Sequence, residues 1–432
     1  MSDPAAKDRS TLGAAFGPGL LMAGAAVGVS HLVQSTRAGA EYGLALLALV
    51  VIGCVLKYPF LEFGPRYAAA TGEHMIAGYR RIGRWALGMF VFLTVATLFI
   101  VLASVTLVTA GLTGMVFGLG LSNGALSLLV LLVCAAILTV GHYRGLDLLM
   151  KAIMALLSLA TLLAVSLAAG NEPDWSRLAI DWHHPGLLSG ASLAFVLALL
   201  GWMPIPLDAA AWHSLWTLER ARETGHRPSV RHASIDFRIG YIGATLLAVA
   251  FLLLGALVMY DSGQQFSGSA IGFSSQLADL YAAALGGWAR PLIAIAALAA
   301  MFSTTLTVAD AYPRVLRALL EMRDRASGPV PTGDPAKGHR ARYLAGMLLA
   351  MAGAMVVIVL FGGQFTLLID FTTTVSFLSA PVLAWLNLKL LTGQHTPVEA
   401  RPGPLLTATA WAGLVFLTAF SMTWVVWRLL WA

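Results

Sequence analysis

Two short stretches of this chain carry residues with chemistry to offer. In AVGVSHLVQSTRAGAEYG, an apolar run breaks at Gly28, Val29 and Ser30, then places His31, Gln34, Arg37 and Glu41 where an uninterrupted membrane helix would be apolar. In GWMPIPLDAAAWHS, Trp202 and Met203 precede Pro204 and Pro206, and Asp208 and His213 follow. One carboxylate, one imidazole, Ser30, Gln34 and the cluster Thr372-Thr373-Thr374 make a donor set of oxygen and nitrogen. Such a set suits either of two tasks. It ligates a hard cation such as Mg²⁺, which keeps several waters and needs few carboxylates, or it hydrogen-bonds a small polar organic solute through Asp208, His31 and Trp202. As a metal site proper it reduces to Asp208 and His31, which is poor for Mn²⁺ or Fe²⁺. His31 and His213 also offer a proton route, since imidazole titrates nearest neutral pH.

Each of these residues also has a plainer reading. His31 serves equally as a satisfied packing histidine, and Asp208 as a cap on the half-helix that follows it. Arg37 and Glu41 stand four apart and pair on one helix face, as do Asp310 and Arg314. His213 either passes protons toward the cytoplasm or hydrogen-bonds locally. Asp236 opens an apolar segment, where a carboxylate suits the positive end of a helix, so its role is structural or gating. Lys57 and Glu62 pair or snorkel, and the threonine cluster packs.

The elements that hold these residues follow from composition. Of 432 residues, 58% are hydrophobic and 11% charged, more apolar surface than a soluble interior hides. The chain reads as an all-α polytopic membrane protein. Apolar runs of spanning length lie at about 17–43, 45–70, 86–116, 122–141, 148–170, 190–217, 236–260, 287–318, 341–361, 364–391 and 405–430. No cleavable signal peptide is evident before the first of them. The 27 Lys and Arg against 21 Asp and Glu are scattered between spans, so they report topology rather than nucleic-acid binding. Basic loops at 66–84, 218–235, 314–342 and 389–401 alternate with uncharged or acidic ones. That pattern places the N-terminus in the cytoplasm and the C-terminus outside a bacterial-type inner or plasma membrane. Cys54 and Cys134 both fall inside apolar runs and read as packing residues.

The breaks fall in the first and sixth spans, five spans apart. Interruptions at matching positions of two halves point to a secondary transporter built of inverted repeats, with its site at the bilayer midplane. The expected organisation is a cytoplasmic segment 1–16, a first repeat 17–170, an extracellular loop 171–189, a second repeat 190–391, and a linker with the eleventh helix at 392–432. Helices one and six should be unwound at about 27–31 and 203–208. His31 and Gln34 should face a central cavity, and Arg37 with Glu41 should belong to the extracellular half-helix that closes over it. Bound partners are then the bilayer and a small solute or cation, with no cofactor and no enzymatic activity.

The stretches GPGLLMAG, AGAEYG and AAATGEHM, then WHSLW, SIDFRIG, AALAAMFSTTLTVAD and FTTTVSFLSAPV, resemble the natural resistance-associated macrophage protein (Nramp) family of proton-coupled divalent-metal transporters. The resemblance implies a LeuT-like fold of 11 transmembrane helices. It also locates departures. Where the family carries Asp-Pro-Gly-Asn, whose Asp and Asn ligate metal, this chain has Gly28-Val29-Ser30-His31. The family's Met-Pro-His falls on Pro206 and Asp208 in one register, and on Met203 in the other. Its ligand-assisting glutamine in the tenth helix falls on Thr373, and its acidic third helix is here without an ionisable side chain. The resemblance therefore implies a remodelled substrate site, with a hard divalent cation such as Mg²⁺ favoured over Mn²⁺ or Fe²⁺. The alternatives are a small polar organic solute and a non-transporting sensor or scaffold.

Overall fold

The computed structural model describes residues 17–140, 144–170, 190–260, 262, 266–327, 335–361 and 363–431. The expected segments 1–16 and 171–189 lie outside the described residues. Hydrocarbon offers no partner to a backbone N–H or C=O, so an apolar chain that enters it must close its hydrogen bonds within each segment. Among the described residues all regular structure is accordingly helical.

The first span is split into α1 (Pro18–Ala26) and α2 (Thr36–Tyr42), joined through a π-turn at Ser30–Ser35. There follow α3 (Leu47–Thr71), the short α4 (Met75–Ile82), α5 (Arg84–Phe117), α6 (Asn123–Val140) and α7 (Arg144–Gly170). The sixth span is split into α8 (Gly190–Trp202) and α9 (Ala209–Thr224). The chain continues through α10 (Val230–Met259), α11 (Ala270–Leu285), α12 (Ala289–Ser327), α13 (Pro335–Phe361), α14 (Phe365–Thr392) and α15 (Pro404–Trp431). Among the described residues 8 helices are long and apolar enough to cross a membrane alone. With α7 and the two split spans, the eleven expected crossings are present, in a LeuT-like arrangement. Two helices were not expected. α4 begins at His74, whose side chain accepts the Ala77 N–H, and α11 occupies the region read as loop, burying Phe273 and Tyr281 against the bundle.

Both interruptions have local causes. Gly28 lies against Thr304, whose side chain would meet an added Cβ at 2.8 Å. Pro204 and Pro206 supply no N–H to continue α8. The unwound backbone runs from Met203 to Asp208, as the sequence indicates, but at the first break only over Val27 and Gly28; Val29 is already helical and Ser30 and His31, expected to be unwound, lie in the π-turn.

Two continuous helices brace the split ones. A Cβ on Gly19 would overlap the Asp236 carbonyl of α10, and one on Gly39 the Leu252 carbonyl. Reciprocally, Gly240 and Gly255 of α10 abut the carbonyls of Gly19 and Thr36. One glycine seam thus holds each half of the first span. α3 treats the sixth span the same way, with Gly53 against the Leu200 side chain of α8 and Gly64 against the Ala210 carbonyl of α9. Small residues permit such backbone approach in membranes, where no hydrophobic force draws helices together. The correspondence of second helix with sixth and seventh with first is what an inverted repeat requires.

Side chains from these same braces serve the cut end of α8 and the start of α1, the end away from its break. Lys57 of α3 is 1% exposed and donates to the carbonyls of Leu200 and Gly201 at 3.1 Å each, at the end of α8 where the helix dipole is negative. It does not pair with Glu62, which instead binds Arg66 at 2.8 Å and accepts from Ser234 at 2.6 Å. Asp236 accepts the backbone N–H groups of Gly17 and Gly19 at 3.1 and 2.6 Å. Since α10 begins at Val230, Asp236 lies well inside it and caps α1 rather than its own helix.

Two stability outcomes follow from the seams and the ends. Gly255→Val should overpack the α10 seam by about 1–3 kcal/mol and lower the melting temperature in detergent, whereas Gly243→Val, with open space around it, should not. Lys57→Met keeps the stem but orphans two buried carbonyls, a cost of about 1–3 kcal/mol, and should melt below a Lys57→Arg variant in the same assay.

Candidate functional site

The two breaks meet. Ser30 Oγ lies 2.7 Å from the Ala26 carbonyl, at the end of α1, and 3.3 Å from the Pro204 carbonyl of the other break. Thr304 of α12 donates to the Gly24 carbonyl at 2.9 Å. Between the breaks lies a narrow cavity. Its wall includes Ser30, Trp202, Pro206, Trp212 and Thr304, with Val101 and Val105 from α5, and carries no charged side chain.

His31 does not face that cavity, contrary to expectation. Its ring is fully buried, with Nε2 donating to the Ala244 carbonyl of α10 at 2.8 Å and Nδ1 at 2.8 Å from Ser30 Oγ. Phe251 meets the ring edge-on. With both nitrogens engaged, the imidazole behaves as a packing group that fastens the break to α10. Met203 is also turned away, its sulfur accepting from the Ser35 hydroxyl at 3.8 Å. Trp202 lines the cavity but commits its Nε1–H to Ser376 at 2.8 Å.

Asp208 lies on the other side of the sixth break, in a second, tighter recess. Thr94 and Thr97 of α5 and Ser376 and Ser379 of α14 line the same space. The Asp208 side chain makes no capping hydrogen bond to α9. Its Oδ2 accepts from the Tyr312 hydroxyl at 3.3 Å, while Oδ1 is buried without any partner. A carboxylate oxygen held out of water with nothing bonded to it is costly. Hydroxyls on facing helices line the same recess, with Leu93 and Leu383 as its apolar members, so the polar side-chain groups offered beside the carboxylate are oxygens.

Gln34 and Thr373 belong to a third cluster, at the start of α2. Arg37 pairs with Glu41 at 3.2 Å, as their spacing suggests, but also with Asp370 of α14 at 2.8 Å. Gln34 Nε2 donates to the same Asp370 oxygen at 3.0 Å and to Thr373 Oγ1 at 3.3 Å. The Arg37 guanidinium lies 4.8 Å from the Phe195 ring centroid of α8. The cluster thus ties three helices together over the cavity. Asp370 is the member the sequence reading missed; an ionisable residue within a span is itself a signal.

His213 of α9 is 1% exposed, packed by the rings of Trp216 and Phe237, and neither nitrogen has a hydrogen-bond partner. No hydrogen bond links it to His31. Asp310 pairs with Arg314 at 2.6 Å, as expected, and accepts from Tyr343. Among the described residues, no group of three or more His, Cys, Asp and Glu side chains is placed to hold a metal ion.

The fold and sequence have clear relatives. The family described as natural resistance-associated macrophage protein-like matches residues 19–427. An uncharacterised protein of Pasteurella multocida is 35% identical over 418 residues, covering 95% of this chain and 92% of its own. A divalent metal cation transporter, MntH, of Brucella suis is 24% identical over 323 residues, covering 71% of this chain and 67% of its own. Among solved structures, the Eremococcus coleocola manganese transporter bound to an aromatic bis-isothiourea compound superposes with a TM-score of 0.71 at 16% identity, over 98% of this chain and 88% of that one. MhsT in complex with L-phenylalanine superposes at 0.59 with 14% identity, over 94% and 97%. At such identities the structural likeness concerns the fold. Matched nearly end to end by the family and by a close bacterial relative, this chain belongs to the natural resistance-associated macrophage protein family.

Proposed function

We propose that this chain is an alternating-access transporter whose cargo is a hard divalent cation of the Mg²⁺ type, taken partly hydrated at Asp208. The observation that carries this reading is the unpartnered, buried Oδ1 of Asp208 among the hydroxyls of Thr94, Thr97, Ser376 and Ser379. Polar groups that are all oxygen, with one negative charge, suit a cation that retains waters. Mn²⁺ and Fe²⁺ accept softer nitrogen and sulfur ligands, and here His31 and Met203 are committed elsewhere. The names of the Brucella and Eremococcus relatives support a metal cargo in general. In this reading residues 17–170 and 190–391 are the two inverted repeats, linked to a final helix within 392–432, with the N-terminus cytoplasmic and the C-terminus outside. The chain acts as a carrier, not an enzyme. Gly28 and Pro206 serve it by holding the backbone open.

Alternating access needs closures on both sides of the cavity. On the outer side we assign this to Arg37, Asp370, Gln34 and Glu41, with Thr373 buttressing Gln34. On the inner side the carboxylate of Asp236 holds the start of α1 to α10, and His213 of α9 packs on the ring of Phe237, the next residue of α10, without a hydrogen-bond partner among the described residues. The second reading, a small polar organic solute, is favoured by the central cavity itself, with its two indoles, two hydroxyls and no charge.

Asp208→Asn separates the two readings. With a divalent cation as cargo, removal of the only carboxylate in the pocket should abolish Mg²⁺ flux into proteoliposomes. With an organic solute, the amide should cost about 1–3 kcal/mol of affinity and leave maximal flux measurable, so near-normal flux that Mg²⁺ neither supports nor inhibits would overturn the cation reading. A size series of amines run alongside distinguishes an organic cation from a metal.

For the outer closure, Asp370→Ala should shift the population toward outward-open. A cysteine placed at Ser30 in a Cys54→Ser, Cys134→Ser background should then react faster with an impermeant thiol reagent added outside. Equal rates with and without the Asp370 substitution would remove that residue from the gate.

A further inference from the structure

At the end of the bundle that carries the basic loops, α3, α10 and the linker before α15 enclose a pocket with about 850 Å³ of empty space. Arg66, Arg231, Arg238, Ser234 and Glu399 line it. Arg66 is already matched, to Glu62 at 2.8 Å, and donates to the Ala400 carbonyl at 3.3 Å. Among the described residues Arg238 makes no salt bridge and donates to the neutral Tyr58 hydroxyl at 3.0 Å. Arg231 is exposed and makes no salt bridge among the described residues. Two guanidinium groups therefore face the pocket without a salt-bridge partner, and one carboxylate, Glu399, shares it.

Exposed apolar side chains continue from the pocket along both helices. Along α10, Arg238, Ile239, Ile242 and Leu246 recur at helical spacing, and the three apolar residues are 49, 54 and 61% exposed. On α3, Val55 and Val51 lie one and two turns before Tyr58 and are 53 and 39% exposed. Since α3 and α10 run antiparallel from the pocket toward mid-membrane, these side chains flank one track. A soluble anion has no use for such a track, whereas an acyl chain does.

We propose that this pocket binds a phospholipid of the ethanolamine type. Its phosphate rests on Arg231 and Arg238, because guanidinium meets phosphate through paired N–H donors. Its ammonium donates to Glu399, and one acyl chain follows the track of apolar side chains along α3 and α10. Basic recesses between membrane helices at the cytoplasmic face are suited to lipid headgroups. The carboxylate sets the selectivity, since a choline headgroup has no N–H to donate. A lipid so bound joins α3 to α10, the two helices that brace both broken spans.

The test is lipid retention by the delipidated full-length protein, read by native mass spectrometry after exposure to phosphatidylethanolamine, phosphatidylglycerol or phosphatidylcholine. The wild-type protein should retain the ethanolamine lipid roughly 5-fold or more over the choline lipid, the scale of one charge-assisted hydrogen bond. Arg231→Gln with Arg238→Gln should reduce retention of all three about 10-fold. Glu399→Gln should keep binding but erase the preference for ethanolamine over choline. Both variants alter side chains at the pocket wall, and a monodisperse elution profile with unchanged melting temperature confirms that the fold is intact. Equal retention of ethanolamine and choline lipids by the wild type, or unchanged retention by the double arginine variant, would overturn the proposal. So would displacement of the lipid by millimolar inorganic phosphate, which would assign the pocket to a soluble anion, or stronger retention of the glycerol lipid than of the ethanolamine lipid.

Discussion

A helix cut in the middle of a bilayer leaves backbone donors and acceptors with no water to turn to, and the arrangement of this protein follows from supplying them. The Lys57 ammonium serves the carbonyls that end α8, and Thr304 and Ser30 serve the carbonyls near the end of α1. Each supplier stands on an element next to the break it serves. The breaks are therefore places where particular neighbours are needed, and the neighbours fix where the split helices lie.

Those neighbours are chiefly α3 and α10. Both hold the split spans through glycines against carbonyls, which brings backbones closer than any side chain allows and leaves the opposite faces of the split helices to line the cavities. The cluster of Arg37, Gln34 and Asp370 adds a charged tie between α2 and α14. The split spans are thus fastened at both ends and open in the middle, the condition for a site that can be reached from either side in turn.

Much of this frame was legible in the sequence because it rests on local signals. The breaks announce themselves by Gly28, Pro204 and Pro206, and Arg37 with Glu41 and Asp310 with Arg314 pair at a spacing of four. What escaped was everything that joins distant segments. Asp370 lies 333 positions from Arg37, and no periodicity links them. Lys57 was read against Glu62, its neighbour in sequence, although its true partners are carbonyls 143 and 144 positions away. His31 was expected to face the cavity because a polar group at a break suggests a ligand. Helix phase through an irregular turn cannot be counted at 3.6 residues, and the ring in fact turns to α10. Asp236 was taken as a cap for its own helix because the start of α10 was placed six residues late. The candidate site dispersed for the same reason: residues close in sequence at the sixth break, Trp202 and Asp208, point into different cavities.

The glycine seams bear on how such a chain diverges. Hydrogen is the smallest possible side chain, so Gly39, Gly64, Gly240 and Gly255 have no smaller substitute and can only be disrupted by change. The cavity walls, built of Ser30, Trp202, Thr304 and Asp208 on other faces of the same elements, carry no such limit. Mutation can therefore rewrite what is recognised while the moving frame stays fixed, which lets chemically unlike cargo share one architecture without any redesign of its mechanics.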